Sequence, residues 1–265
     1  MKELQKDAGL KQSGRLLRTE HYGEGLSDRT VHGCHTTCRL ALQQAVKDGL
    51  IKTNPAVNCK LPPSSPKEMQ VLTPEEMRRL LIQAMEEDYY ELILLELATG
   101  LRRGELVALQ WDDLNFKTGA LHVRRQVQRI KGELVVSQLK TKASDRIVIL
   151  PQPLLNVLQE YRQRNTSRWL FPSPKKEDAP LDPTAVRKKL TTLLDHAGCK
   201  KVRFHDLRHT FATLSLKSGV DVKTLSGALG HYSAGFTLNT YTHATAQMKQ
   251  DAADTIGGVI SQQMR

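Results

Sequence analysis

Apolar positions along the chain recur first at helical spacing. Val31, Cys34, Cys38, Ala41, Leu42 and Ala45 fall on one face of a predicted helix that begins at Ser27, a good N-cap. The pattern stops near Gly49, and Asn54-Pro55 marks the exit. The first 25 residues are polar and Gly-punctuated, with Leu16-Leu17 their apolar pair, and read as a frayed helix or arm. Lys60-Leu61-Pro62-Pro63-Ser64-Ser65-Pro66 is a stiff, exposed linker and the best domain boundary. Beyond it, Thr73-Pro74-Glu75-Glu76 reads as a capping box with Pro at the first helical position. That helix runs through Met77, Leu80 and Leu81 to about Glu87. A more buried one follows over Leu92–Ala98 and breaks at Thr99-Gly100. A short amphipathic helix then starts within Leu101-Arg102-Arg103-Gly104-Glu105-Leu106 and passes Val107 and Leu109.

The period changes between Trp111 and Leu150. Leu121, Val123 and Val127 alternate with polar residues, Lys131-Gly132 makes a turn, and Leu134-Val135-Val136 returns. Lys140-Thr141-Lys142-Ala143-Ser144 is a second turn, and Arg146–Leu150 a third strand, giving a three-stranded antiparallel meander. The remainder is helical: Pro153 to about Arg164, Pro183–His196, His205–Lys217 and Val222–Leu229, then a short segment to Tyr241. The fold class is α+β, mainly helical with a small three-stranded antiparallel sheet, preceded by a small all-α piece.

Charge sharpens this picture. The net formal charge is +11, and it is uneven. Residues 71–110 carry four Arg and eight acids, whereas residues 122–146 carry seven Lys/Arg and two acids. A locally basic surface favours a polyanion, with nucleic acid the leading candidate. No run approaches the roughly 18 apolar residues of a membrane helix, and the first residues lack the apolar core of a signal peptide, so no membrane partner and a cytoplasmic site are expected. The four cysteines are then expected to be reduced. Cys34 and Cys38, with His32 and His35 beside them, lie within one predicted helix without a second ligand pair at zinc-finger spacing. They read as buried or half-buried thiols.

The chemistry concentrates between Phe204 and Tyr241. His205, Arg208 and His209 share roughly one helical face, and His231 follows at a later turn. The three histidines could ligate zinc, but the segment lacks the glutamate of a His-Glu-x-x-His helix, and Arg208 would repel the cation. A phosphate clamp accounts for Arg208, because a guanidinium offers a planar fork of donors to phosphate oxygens. Such a clamp needs cations from elsewhere, and Arg102 and Lys140 are available.

Five segments carry a family resemblance: Thr99-Gly100-Leu101-Arg102-Arg103-Gly104-Glu105, Lys140-Thr141-x-x-Ser144-x-Arg146, His205-x-Leu207-Arg208-His209, Leu229-Gly230-His231 and Tyr241-x-His243. In order and rough spacing they resemble the signature boxes of tyrosine recombinases, the phage-integrase family, most like integrases of conjugative transposons and related mobile elements. The resemblance implies a partial helical core-binding domain over residues 1–60, a linker over 61–71, a catalytic domain over 72–246, and a tail over 247–265 that packs on a neighbouring protomer, with packing in cis as the alternative. It assigns Arg102 and Arg208 to the non-bridging oxygens of the scissile phosphate and Lys140 to protonation of the departing 5′-oxygen. His205 becomes the acid/base partner, His231 a hydrogen-bond donor to the phosphate, and Tyr241 the nucleophile. Glu105 and His209 become supporting residues, while Arg103, Arg124, Arg125, Lys142 and Arg146 become DNA contacts. Lys142 also competes with Lys140, and Tyr232 with Tyr241, though family spacing selects Tyr241.

The implied function is a site-specific recombinase acting through a 3′-phosphotyrosyl link on double-stranded DNA, integrating or excising a mobile element. It implies a homotetramer on DNA, accessory DNA-bending factors, and no metal or nucleotide cofactor. The N-terminal piece is shorter than a complete core-binding domain, from which weak DNA binding by this chain is expected. Two other readings share the residues: type IB topoisomerase-like relaxation, and an accessory DNA-binding protein with a disabled site.

Overall fold

The computed structural model describes residues 26–63, 69–139, 144–230 and 234–241. The chain divides into two compact units, residues 1–68 and 69–265. The expected N-terminal arm, the centre of the linker and the tail over 247–265 lie outside the described residues.

In the first unit, α1 (Asp28–Lys47) begins where Ser27 Oγ accepts the Thr30 N–H at 3.3 Å. Val31 is its buried residue. Cys34 and Cys38 are exposed, which corrects the expectation of buried thiols. The neighbouring histidines serve the backbone: His32 Nε2 donates to the Pro62 carbonyl at 2.8 Å and His35 Nε2 to the Ala56 carbonyl at 2.7 Å. These bonds dock the returning segment onto α1 through polar groups, leaving the small apolar positions uncovered.

The second unit opens with α2 (Pro74–Glu86), whose capping box is complete: Thr73 Oγ1 accepts from Glu76, and Glu76 accepts the Thr73 N–H at 2.8 Å. The next helix, α3 (Tyr90–Thr99), is apolar almost all round and correspondingly buried. It ends at Gly100 in the left-handed conformation, φ 58°. A single turn, α4 (Arg103–Leu106), follows.

The β segment departs from a meander. Strands β1 (Leu114–Asn115), β2 (Ala120–Val123) and β5 (Arg146–Ile149) form the three-stranded antiparallel sheet in the order β1-β2-β5, while β3 (Arg125–Ile130) and β4 (Glu133–Gln138) form a separate hairpin. Alternation alone ran Leu121, Val123 and Val127 into one strand. The break falls at Arg124 and Arg125, consecutive residues that both reach Asp113, at 2.7 and 2.5 Å. A regular strand points neighbours to opposite faces, so sharing one carboxylate takes the chain out of register. β5 then pairs with β2, placing Val148 against Leu121 and Arg146 against Val123.

The rest is helical: α5 (Gln152–Gln163), α6 (Pro183–His196), α7 (Phe204–Lys217), α8 (Val222–Leu229) and α9 (Ala234–Thr240). One apolar core joins α2, α3, the sheet, α5, α6 and the start of α7, through residues such as Leu80, Leu95, Leu121, Leu158, Leu193 and Leu207. A smaller cluster of Ala212, Leu216, Leu225, Leu229 and Tyr241 binds the end of α7 to α8 and the segment after α9.

Candidate active site

The turn between α3 and α4 positions the first arginine. Arg102 is the N-cap residue of α4, and the Glu105 carboxylate reaches back to it, accepting the Arg102 N–H at 3.1 Å and Arg102 Nη1 at 2.8 Å. Arg146 at the start of β5 donates Nη2 at 2.8 Å to Glu105 Oε2, the oxygen that also accepts the Arg102 N–H. Glu105 is 1% exposed. Burial alone would raise its carboxyl pKa, but Arg146 and then Arg102 outweigh it and hold the group below the usual carboxylate range. Gly104 lets α4 lie this close to the hairpin: a Cβ there would sit 2.7 Å from the Val127 carbonyl oxygen.

Arg208 supplies the centre. It is 1% exposed on α7, with Nη1 donating to the Gly100 carbonyl at 2.8 Å and Nη2 to the Leu229 carbonyl at 2.7 Å. Burial, then the neighbouring Arg102 charge, pushes its pKa down to about 10, still charged at neutral pH.

The last turn of α8 gathers the cluster. Arg146 Nε donates to the Ala228 carbonyl at 2.6 Å, Arg208 to the Leu229 carbonyl, and Arg102 Nη2 to the Gly230 carbonyl at 3.1 Å. Three consecutive carbonyls thus hold three guanidiniums from three distant segments. These oxygens are free because a helix leaves its final carbonyls unpaired, and the negative end of the helix dipole favours cations there. Gly230, at φ 63°, supplies the left-handed turn that ends the helix.

Beside the arginines stand two histidines and a tyrosine. His205 is exposed, and its ring meets His209 edge-on at 4.7 Å. Partial desolvation and then Arg208 lower its pKa. His209 Nδ1 lies 2.8 Å from the Tyr241 hydroxyl. Burial, then His205, brings His209 down to about 4, and burial pushes Tyr241 up to about 12 against the opposing pull of Arg208. The structure therefore brings together Arg102, Glu105, Arg146, Arg208, His205, His209 and Tyr241. Lys140, Lys142, His231 and Tyr232 lie outside the described residues.

A groove of about 970 Å³ runs from this cluster between the hairpin and α6, lined by Arg102, Arg103 and His205. Burial and then Arg187 lower the Arg103 pKa. Arg124 and Arg125 are committed to Asp113 and do not line the groove, and Arg146 is buried with Glu105 and the Ala228 and Ser144 carbonyls. The groove is lined instead by Arg187 and Lys188, and by Arg129 and Arg203, which pair with Asp182 and Asp206; sequence reading missed all four. Arg187 and Lys188 follow the Asp182-Pro183 helix start, the one signal that could have placed them on a helix facing an anion. Also missed was Glu96 on α3, fully buried, with neither carboxylate oxygen hydrogen-bonded among the described residues.

The sequence profile of the phage integrase family matches residues 70–248, which contain this whole cluster. The chain belongs to the phage integrase family. Its relatives include a "Tyrosine recombinase XerC-like" protein of Caldanaerobacter subterraneus subsp. tengcongensis, 29% identical over 263 residues, covering 89% of this chain and 67% of the relative. The ICEBs1 integrase of Bacillus subtilis is 26% identical, with the same coverage. Tyrosine recombinase XerA of Pyrococcus furiosus is 36% identical over 203 residues, 74% of this chain and 64% of the relative. This tyrosine recombinase therefore spans about two thirds of the length of those relatives. The Tn1549 transposon integrase, solved in complex with a circular intermediate DNA, shares its fold with a TM-score of 0.74 at 22% identity, covering 87% of this chain and 81% of that one.

Proposed function

We propose that this phage integrase family member cuts and rejoins double-stranded DNA at a defined site, through a covalent link between Tyr241 and a 3′-phosphate, to integrate or excise a mobile element. The observation that carries the reading is the convergence of Arg102 and Arg208 on the end of α8, beside Tyr241 and at the head of a basic groove. A phosphodiester entering there gains charge in its pentacovalent transition state, and fixed guanidiniums stabilise that charge where it develops. Arg102 and Arg208 hold the non-bridging oxygens, Glu105 and Arg146 fix Arg102 in place, and His205 faces the phosphate from the groove. Lys140 protonates the departing 5′-oxygen, and His231 donates to the phosphate. The covalent link conserves the phosphodiester energy, so rejoining needs no nucleotide. Arg103, Arg187 and Lys188 neutralise backbone phosphates along the groove.

The partners follow from the same reading: element-end or attachment-site DNA, four protomers in the recombining complex, and accessory DNA-bending factors. Among the described residues no helix is long and apolar enough to cross a membrane. The test uses a nicked suicide DNA substrate, in which loss of a short 5′-hydroxyl fragment traps the covalent complex. The wild-type chain and Tyr232→Phe should trap DNA, while Tyr241→Phe should not. Trapping by Tyr241→Phe would overturn the assignment.

A further inference from the structure

Tyr241 is 2% exposed, its ring packed with Ala212, Leu216, Leu225 and Leu229. A hydroxyl so placed has no bulk water to receive its proton, and a phenol at about 12 is essentially un-ionised at neutral pH. Among the described residues its hydrogen-bond partner is His209 Nδ1, at 2.8 Å, with ring centroids 5.6 Å apart. The charged and titratable groups that act on His209 are His205, Arg203 and Arg208, which with burial disfavour its protonation, and Asp206, which opposes them. The imidazole is therefore neutral. In the tautomer that carries its proton on Nε2, the Nδ1 lone pair accepts from the phenolic O–H across that 2.8 Å contact. The His205 ring packs edge-on against it, at 82°, and fixes the plane.

We propose that His209 is the base that receives the Tyr241 proton when the phenol attacks DNA. The inference rests on the reading of Tyr241 as nucleophile. In the forward step the Tyr241 oxygen forms a bond to phosphorus and the bond from phosphorus to the 5′-oxygen breaks, its electron pair leaving with that oxygen. The phenolic proton passes to His209 Nδ1, giving an imidazolium, and the leaving oxygen takes a proton from the acid assigned to Lys140. Rejoining reverses both transfers, so His209 returns its proton to the departing phenolate. The imidazolium forms beside Asp206 and beside a phosphoryl group gaining negative charge, so a base that is weak in the empty site strengthens as DNA fills it. His205, free of the phenol, is left to the groove side of the phosphate.

Single-turnover cleavage by the full chain on the nicked suicide substrate tests this with H209A and H209Q. Both variants should form the covalent complex about 100-fold more slowly than the wild type, the usual scale for losing a general base. A substrate with sulfur in place of the bridging 5′-oxygen, whose good leaving group needs no acid, should not restore them. Added imidazole should restore part of the H209A rate, more so as pH rises through the titration of free imidazole. A merely structural histidine would show no such rescue, and glutamine, similar in size, separates loss of the base from loss of fold. Cleavage by either variant within about threefold of wild type, or full restoration by the sulfur substrate, would overturn the proposal. Trapping by Tyr241→Phe would instead strike the nucleophile assignment beneath it.

Discussion

Arg208 donates to the Leu229 carbonyl at 2.7 Å, and this buried bond ties α7 to the end of α8. The same guanidinium reaches the Gly100 carbonyl, so one planar group satisfies two helix ends. A lysine has no fork with which to reach both. Arg208→Lys should leave one buried carbonyl unmet and lower stability by about 1–3 kcal/mol, read as the shift in urea midpoint. Covalent trapping should fall steeply in the same variant, because the remaining ammonium cannot hold two phosphate oxygens and the carbonyl together.

Gly104 admits the hairpin backbone against α4. Since a Cβ would stand 2.7 Å from a backbone oxygen rather than from a flexible side chain, Gly104→Ala forces the two apart. A cost of about 1–3 kcal/mol is expected in chemical denaturation, with weaker DNA cleavage as Arg102 and the groove wall separate.

Glu96 gives a pH signature. Burial, resisted chiefly by Arg208, raises its pKa well above the usual carboxylate value, so the folded chain keeps the proton that the unfolded chain releases. Between the unfolded value near 4.5 and the raised folded value, the folded state binds more protons, and stability falls as pH rises. Glu96→Gln removes that titration. Thermal unfolding of the variant and the parent should therefore diverge in the variant's favour on going from pH 5 to pH 7.5.

Tyr241 is a core side chain as well as the proposed nucleophile. Tyr241→Phe keeps the ring in its cluster and loses the bond to His209, a change of about 1 kcal/mol in stability. Tyr241→Ala opens a cavity in the same cluster and should cost about 3–5 kcal/mol. Both variants should be equally unable to trap DNA, while only the alanine variant unfolds at markedly lower denaturant.

Helix existence was plain in the sequence wherever a cap residue met a 3.6-residue apolar pattern, as at Ser27, Thr73-Pro74 and Asp182-Pro183. The strands were harder, because Leu121, Val123 and Val127 keep the same phase across a break at which Arg124 and Arg125 both reach the Asp113 carboxylate. Side-chain commitment was harder still. Arg146 sits in a basic stretch and reads as a DNA contact, yet it is 8% exposed, and Glu105 and the Ala228 carbonyl lie 41 and 82 residues away along the chain. Spacing along one helix did bring His205, Arg208 and His209 together. It could not tell that one would be exposed, one buried, and the third hydrogen-bonded to Tyr241.

The three carbonyls that close α8 also set when the site can exist. Arg102, Arg146 and Arg208 meet them across 128, 82 and 21 residues of sequence, so the first arginine emerges from the ribosome long before the last turn that seats it. Glu105 can pair Arg102 and Arg146 before then, but the carbonyls that gather all three guanidiniums at one helix end exist only once residue 230 has been made and α8 has formed. The arginine cluster is therefore completed only after most of the chain has been made.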